Sequence, residues 1–247
     1  MKNAFNLLLT VSCVLALSCS KDDDPDPPSG DVDLVKTQVI VFEQSGIPEL
    51  TVNYYYDDQR RLMRSLFSSG DSIVFEYLSS QIIERSYTGP FKYSEVNYFL
   101  GTTGLVDSSA RSDGQLTTGV RYDGAGYRVE LREYDGSNAL VSRQVHQYTG
   151  GNEVASYSYD GNGNLDYSQT NTYDTGHQNS LSHPAQGQPY LGKSSANVNT
   201  QVVRTDHSSS QSETYLYEYD YDSGGRIATV RTFIDLTLAA TQHFSYY

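Results

Sequence analysis

Residues 213 to 222 read ETYLYEYDYD, and this stretch decides the fold. Tyr215, Tyr217, Tyr219 and Tyr221 occupy alternate positions, with Thr214, Leu216, Glu218 and Asp220 between them. Successive side chains of a strand point to opposite faces, so an extended chain gathers the tyrosines on one side and mostly polar groups on the other. The same rhythm recurs at Leu50, Val52, Tyr54 and Tyr56, at Ile73, Phe75 and Tyr77, and at Ala155, Tyr157 and Tyr159. Turn formers separate these runs: Asp57-Asp58-Gln59, Asp113-Gly114, Asp123-Gly124, Asp135-Gly136, Asp160-Gly161-Asn162-Gly163 and Ser223-Gly224-Gly225. Asp-Gly and Gly-Gly supply the positive φ that tight hairpins require. Turns at such short spacing predict an all-β chain, an antiparallel meander of many short strands.

Tyr-Asp closes run after run, at Tyr56-Asp57, Tyr122-Asp123, Tyr134-Asp135, Tyr159-Asp160, Tyr173-Asp174, Tyr219-Asp220 and Tyr221-Asp222. Three of these lie in a longer unit: YYYDDQRRL at 54–62, YSYDGNGNL at 157–165 and YDYDSGGRI at 219–227. The tyrosines pack on the sheet, Asp and Gly turn the chain, and the final Leu or Ile starts the next strand. The unit resembles the YD repeat of Rhs and teneurin proteins. Those proteins wrap many more repeats into a closed cocoon and carry a core-end motif that this chain does not show.

The whole body is more similar to small surface lipoproteins of Bacteroidota, grouped as a domain of unknown function with a porin-like fold. The resemblance rests on Tyr-rich meander strands, Tyr173-Asp174, the irregular segment Thr175 to Ser194, then Ser195-Ala196-Asn197 and further strands from Val198 onward. It implies a strongly curved, barrel-like antiparallel sheet and brings no established activity. Residues 175–197 break the strand rhythm, and a structureless loop this long is uncommon unless it is functional or packed on itself. Leu181, Pro184, Tyr190 and Leu191 within it predict that it folds over the concave face and plugs it.

The first residues set the address. Met1-Lys2-Asn3 precedes the apolar run FNLLLTVSCVLAL from Phe5 to Leu17, which has the layout of a secretory signal. That run is shorter than the roughly 20 apolar residues a membrane span needs. Ala16-Leu17-Ser18-Cys19 resembles a lipobox, in which the cysteine thiol takes a diacylglycerol before cleavage; Ala16 stands where that pattern prefers Leu. Residues 1–18 are therefore expected to be a lipoprotein signal peptide and Cys19 the lipidated first residue of the mature chain. Residues 19–33 then set Lys21 against Asp22, Asp23, Asp24, Asp26, Asp31 and Asp33 and hold three prolines, the composition of a solvated tether. Ser20, Lys21, Asp22, Asp23 and Asp24 resemble the Bacteroidota signal that sends lipoproteins to the outer face of the outer membrane.

Residues 34–247 make one domain. Of the formal −13 charge, the signal carries +1, the tether −5 and this body −9, a balance that argues against nucleic acid as a partner. The body uses 22 Tyr and no Trp, and with Cys13 in the signal it has no disulfide and no cysteine nucleophile. His146, His177, His183, His207 and His243 show no short ligand spacing, and no GxSxG elbow or phosphate-cradling glycine loop occurs. Asp160 to Asp166 alternates oxygen-bearing residues like a calcium loop. However, Leu165 stands where the loop glycine belongs and Asn171 where the bidentate Glu belongs. The expectation is no catalytic residue, no metal and no cofactor.

The terminal His243-Phe244-Ser245-Tyr246-Tyr247 is the aromatic ending that transmembrane barrels carry. Lipid-facing strands need a continuous outward apolar band, and Thr214, Glu218 and Asp220 do not supply one. The reading is thus a non-enzymatic, lipid-anchored surface module that binds an extracellular glycan or protein. The alternatives are an envelope-associated structural protein without a ligand and, third, a polysaccharide hydrolase whose paired carboxylates only three-dimensional spacing would reveal.

Overall fold

The computed structural model describes residues 33–43 and 46–247. Sixteen strands follow one another in simple meander order: β1 (Val35–Phe42), β2 (Leu50–Tyr56), β3 (Leu62–Phe67), β4 (Ser72–Tyr77), β5 (Gln81–Thr88), β6 (Phe91–Leu100), β7 (Val106–Arg111) and β8 (Leu116–Tyr122). They continue as β9 (Arg128–Asp135), β10 (Leu140–Thr149), β11 (Asn152–Asp160), β12 (Leu165–Gln178), β13 (Asn197–Asp206), β14 (Gln211–Tyr221), β15 (Ile227–Ile234) and β16 (Thr237–Tyr246). Each pairs antiparallel with its neighbours, and β16 returns to β1, with Val39 opposite His243 and Val41 opposite Thr241. The sheet that the sequence predicts as strongly curved closes completely.

The register separates the two faces of the wall. Tyr215 and Tyr217 lie in an apolar core with Val202, Ile227 and Val230, so β14 turns its tyrosines inward and Leu216, Glu218 and Asp220 outward. Outside, Arg85 pairs with Glu76 and Glu95, each at 2.8 Å, and Arg231 with Asp220 at 2.7 Å and Glu218 at 3.2 Å. Charged side chains on a lipid-facing strand cost about 2–4 kcal/mol at mid-membrane. The outer wall carries ion pairs at β4–β6 and at β14–β15.

The Tyr-Asp turns work identically at five hairpins. Asp57, Asp123, Asp135, Asp160 and Asp222 each accept, through Oδ1, the backbone N–H groups two and four residues on. The residue three positions after the aspartate donates to the aspartate carbonyl and has positive φ: Arg60, Gly126, Asn138, Gly163 and Gly225. The tyrosines brace the rim. Tyr56, Tyr77 and Tyr246, at the ends of β2, β4 and β16, donate their hydroxyls to the carbonyls of Val35, Leu62 and Ile227, each at the start of the preceding strand.

These turn carboxylates titrate low. The Arg226 guanidinium and backbone N–H hold Asp222 below the ordinary range, Asn164 does the same for Asp160, and the Ser137 hydroxyl for Asp135. Asp206 lies at about 2, chiefly through Ser208. A carboxylate whose folded pKa is depressed contributes stability that is present above its unfolded value, about 3.9, and lost as pH falls through the folded value. Burial shifts Glu84 the other way, and that single group gains on acidification. Thermal melting is therefore expected to stay level down to about pH 4 and to fall steeply between about pH 4 and 2. Asp222→Ala should lower the melting temperature at pH 7 and lessen the acid-induced fall. Asp222→Asn, which keeps an acceptor oxygen, should be milder at pH 7.

Candidate functional site

The topology gives the barrel two unlike ends. The connections after β2, β4, β6, β8, β10, β12 and β14 lie at one end together with the start of β1 and the end of β16; the others lie at the opposite end. The connection after β12 is the long irregular segment. β12 itself runs to Gln178, past the Tyr173-Asp174 pair where the sequence places the start of the loop, because Gln178 still pairs with Asn197 on β13. Residues 179–196 then fold inward as two short 3-10 turns, Pro184–Gln186 and Pro189–Leu191.

This segment is the expected plug. Leu181 joins the core of Val35, Val198, Val202, Tyr215 and Tyr217, while Tyr190 joins Leu62, Phe75, Ile82 and Val106 on another part of the wall. The Tyr190 ring meets Tyr77 edge-on at 6.0 Å. Backbone bonds sew the plug to the rim: Leu62 N–H to Gly187 O, Lys193 N–H to Gly126 O and Ala196 N–H to Gly151 O. Ser180 Oγ accepts from the Ile227 N–H at 2.9 Å. Two buried side chains of this size contribute about 1.5–3 kcal/mol each.

Beyond the plug the interior divides by strand. On β13–β16 and β1–β4 the inward residues are largely apolar and buried. On β5–β12 the register carries a hydroxyl and amide wall toward the far end: Ser94, Ser109, Thr118, Ser142, Gln144 and Ser158. These residues are half-exposed although they face the lumen, so the lumen is wet there. Ser109 and Thr118 share a hydroxyl–hydroxyl bond of 2.7 Å, and Ser142 donates to Glu133 at 2.5 Å. Tyr98 donates to Glu84 at 2.9 Å; burial raises the Glu84 carboxyl above its usual range, and this bond partly offsets the shift. Phe91 and Tyr93 stand exposed at the β5–β6 hairpin on the same open rim.

Lower on this wall, His146 and Glu153 are both buried, with Nδ1 3.1 Å from Oε2. The Glu153 backbone N–H donates to Ser195 Oγ, and Tyr173 donates to the Glu153 carbonyl. The plug, through Ser195, is thus tied to the Glu153 backbone. The other histidines are dispersed: His177 on Asp174, His183 on the Gly192 carbonyl, His207 on Ser168 and His243 on Thr229. Asp160, considered for calcium, spends Oδ1 on two backbone N–H groups and Oδ2 on Asn164. Among the described residues no group of three or more His, Asp or Glu gathers as metal ligands. Cys19, Ser20, Lys21, Asp22, Asp23 and Asp24 lie outside the described residues. The hydroxyl wall escapes a reading of the sequence, since each serine stands alone in its strand and the wall exists only across strands.

Closed barrel, charged exterior, plugged end and polar chamber together define a porin-like barrel with one end shut. Among solved structures the chain is similar to a porin-like protein from Bacteroides uniformis ATCC 8492, with 16% identity and a TM-score of 0.61, covering 85% of this chain and 95% of that one. It is also similar to a porin-like protein from Bacteroides vulgatus ATCC 8482, with 11% identity and a TM-score of 0.62, covering 87% of this chain and 99% of that one. At such identities the likeness carries the fold. No protein-family model and no curated protein matches the chain.

Gly192 marks how tightly the plug fits. Its φ is +85°, and an added Cβ would lie 2.4 Å from Tyr122 Cε1 and 2.9 Å from the Gly126 carbonyl. Gly192→Ala is expected to destabilise the chain by about 2 kcal/mol or more, and Leu181→Ala by about 2–5 kcal/mol through the cavity it leaves. Denaturant unfolding measures both.

Proposed function

We propose that the chain is a non-enzymatic, lipid-anchored surface module that holds an extracellular glycan in the open half of its barrel. The observation that supports this reading most is the half-exposed hydroxyl and amide wall of β6–β11 opposite the plug. The hydroxyl and amide groups of this wall, together with the Glu133 carboxylate that Ser142 bonds, match a hydroxyl-rich ligand, and exposed aromatic rings at the rim offer faces on which sugar rings stack. A partner protein would bring larger apolar side chains than this wall is made to receive.

The geometry of attachment agrees. β1 begins at Val35 on the plugged end, and Asp33 is held there by Arg226 at 3.2 Å. An anchor on Cys19, joined through residues 19–33, would place the plugged end toward the bilayer and the open mouth away from it. Fully extended, that tether reaches about 50 Å. The acidic residues Asp22, Asp23 and Asp24 favour the outer face of the outer membrane as the site of display.

Glycan and peptide arrays probed with the purified chain test the reading. Glycans should be retained, and Ser158→Trp, which fills the chamber from its wall, should abolish retention while leaving the melting temperature within a few degrees. An inert result on glycans, or retention unchanged by Ser158→Trp, would overturn it. In cells, Cys19→Ser should release the chain from membranes, and persistent membrane association would exclude the anchor.

A further inference from the structure

The outer wall carries a second feature, independent of the chamber. On β8, β9 and β10, three arginines converge on one carboxylate. Arg121 Nε lies 3.1 Å from Glu130 Oε2, Arg132 reaches Oε1 through Nε and Nη2 at 3.2 and 3.1 Å, and Arg143 Nε also bonds Oε1. The Glu130 side chain is 6% exposed, whereas those of Arg121, Arg132 and Arg143 are 65%, 48% and 42% exposed. The carboxylate is the buried hub, and the guanidinium edges not spent on it face water. Arg143 first, then Arg121 and Arg132, holds Glu130 down at about 2, so the hub stays ionised throughout the physiological range.

The charge balance sets this cluster apart from the other ion pairs of the outer wall. Arg85 faces two carboxylates, and so does Arg231. Around Glu130 the ratio is reversed, three cations to one anion, on a body whose formal charge is −9. Arg132 and Arg143 are direct cross-strand partners, a like-charge juxtaposition that disfavours the sheet. A structural ion pair would need one arginine. Three of them on a shared carboxylate form a fork whose side-chain entropy is already reduced before any ligand arrives.

The position opposite Arg132 on β8 is Gly119. Glycine in a strand interior weakens the strand and often marks close approach by a ligand or another backbone. Here the barrel does not demand it: φ is not positive, and a Cβ would meet nothing within 4 Å. The bulge on this strand lies further on, at Arg121/Tyr122. The missing side chain leaves an open notch beside the guanidinium groups. Beyond Arg143, on β11, Tyr159 lies with its ring centroid 5.7 Å from the Arg143 guanidinium.

We propose that this notch, floored by Gly119 and lined by Arg121, Arg132 and Arg143, binds the sulfate or carboxylate groups of an anionic polysaccharide lying across β8–β10. Guanidinium forks match such oxyanions bidentately, and the Tyr159 ring beside Arg143 offers a face to a sugar ring. Strands about 4.8 Å apart place the arginines at intervals that bridge neighbouring charges on one chain.

Affinity electrophoresis and calorimetry of the full chain with dextran sulfate and with uncharged dextran test this. Dextran sulfate should bind, with affinity falling as salt rises, and uncharged dextran should not bind at this notch. Arg132→Gln should weaken dextran sulfate at least tenfold. Gly119→Val, which fills the notch with a residue suited to strands, should weaken it comparably without lowering the melting temperature, which separates loss of the site from loss of the fold. Arg231→Gln, in the acid-rich cluster, should leave binding unchanged. Absence of dextran sulfate binding, equal binding by Gly119→Val, or binding to phosphatidylglycerol vesicles in place of dextran sulfate would overturn the proposal. Because Ser158→Trp leaves the outer wall intact, dextran sulfate binding by that variant should persist whatever the chamber does.

Discussion

The pairing of β16 with β1 governs the rest of the molecule. A meander of sixteen strands that stopped short of closure would expose two edges of unpaired N–H and C=O groups, each a template for aggregation. Once Val39 sits opposite His243, no free edge remains and the sheet has an inside. A ring of sixteen strands is too wide for wall side chains to meet across it, as they do in eight-stranded barrels. The chain answers with residues 179–196, which enter at one end and give Leu181 and Tyr190 to opposite regions of the wall. Closure creates an interior, the plug fills it at one end, and half-exposed hydroxyl and amide side chains line it toward the other.

Much of this is legible in the sequence because it is local. The alternation at 213–222 fixes which residues of β14 face inward, and five of the seven Tyr-Asp pairs mark hairpins through a carboxylate that serves two N–H groups within five residues, while Asp174 and Asp220 lie inside β12 and β14. The break in rhythm after Tyr173-Asp174 identifies the plug, although β12 continues to Gln178 because Asn197 returns to pair with it. Closure is not legible, since it depends on partners about two hundred residues apart in a chain whose terminal strands resemble the others. The hydroxyl wall and the Glu130 cluster are hidden for the same reason: Ser109, Thr118 and Ser158, or Arg121, Arg132 and Arg143, acquire meaning only when neighbouring strands align. The buried His146–Glu153 pair was also beyond reach, because nothing local tells Glu153 from a surface carboxylate.

The two ends of the barrel connect architecture with purpose. The plugged end gathers both termini of the ring, the braces from Tyr56 and Tyr246, and the Asp33–Arg226 contact. That end is the braced one. The far end carries the exposed rings of Phe91 and Tyr93 and the polar chamber. The plug and the polar chamber thus lie at opposite ends of the barrel, and its outer wall carries charged pairs.

The most direct test of a barrel shut at one end and open at the other is thiol accessibility, since Cys13 and Cys19 are the chain's two cysteines and both precede the barrel. With those two replaced by Ser, single cysteines at Ser158 in the chamber and Ser195 in the plug would be exposed to a water-soluble maleimide under native conditions. The account predicts rapid labelling of Ser158→Cys and protection of Ser195→Cys until the protein unfolds. Rapid native labelling of Ser195→Cys, or protection of Ser158→Cys, would contradict it.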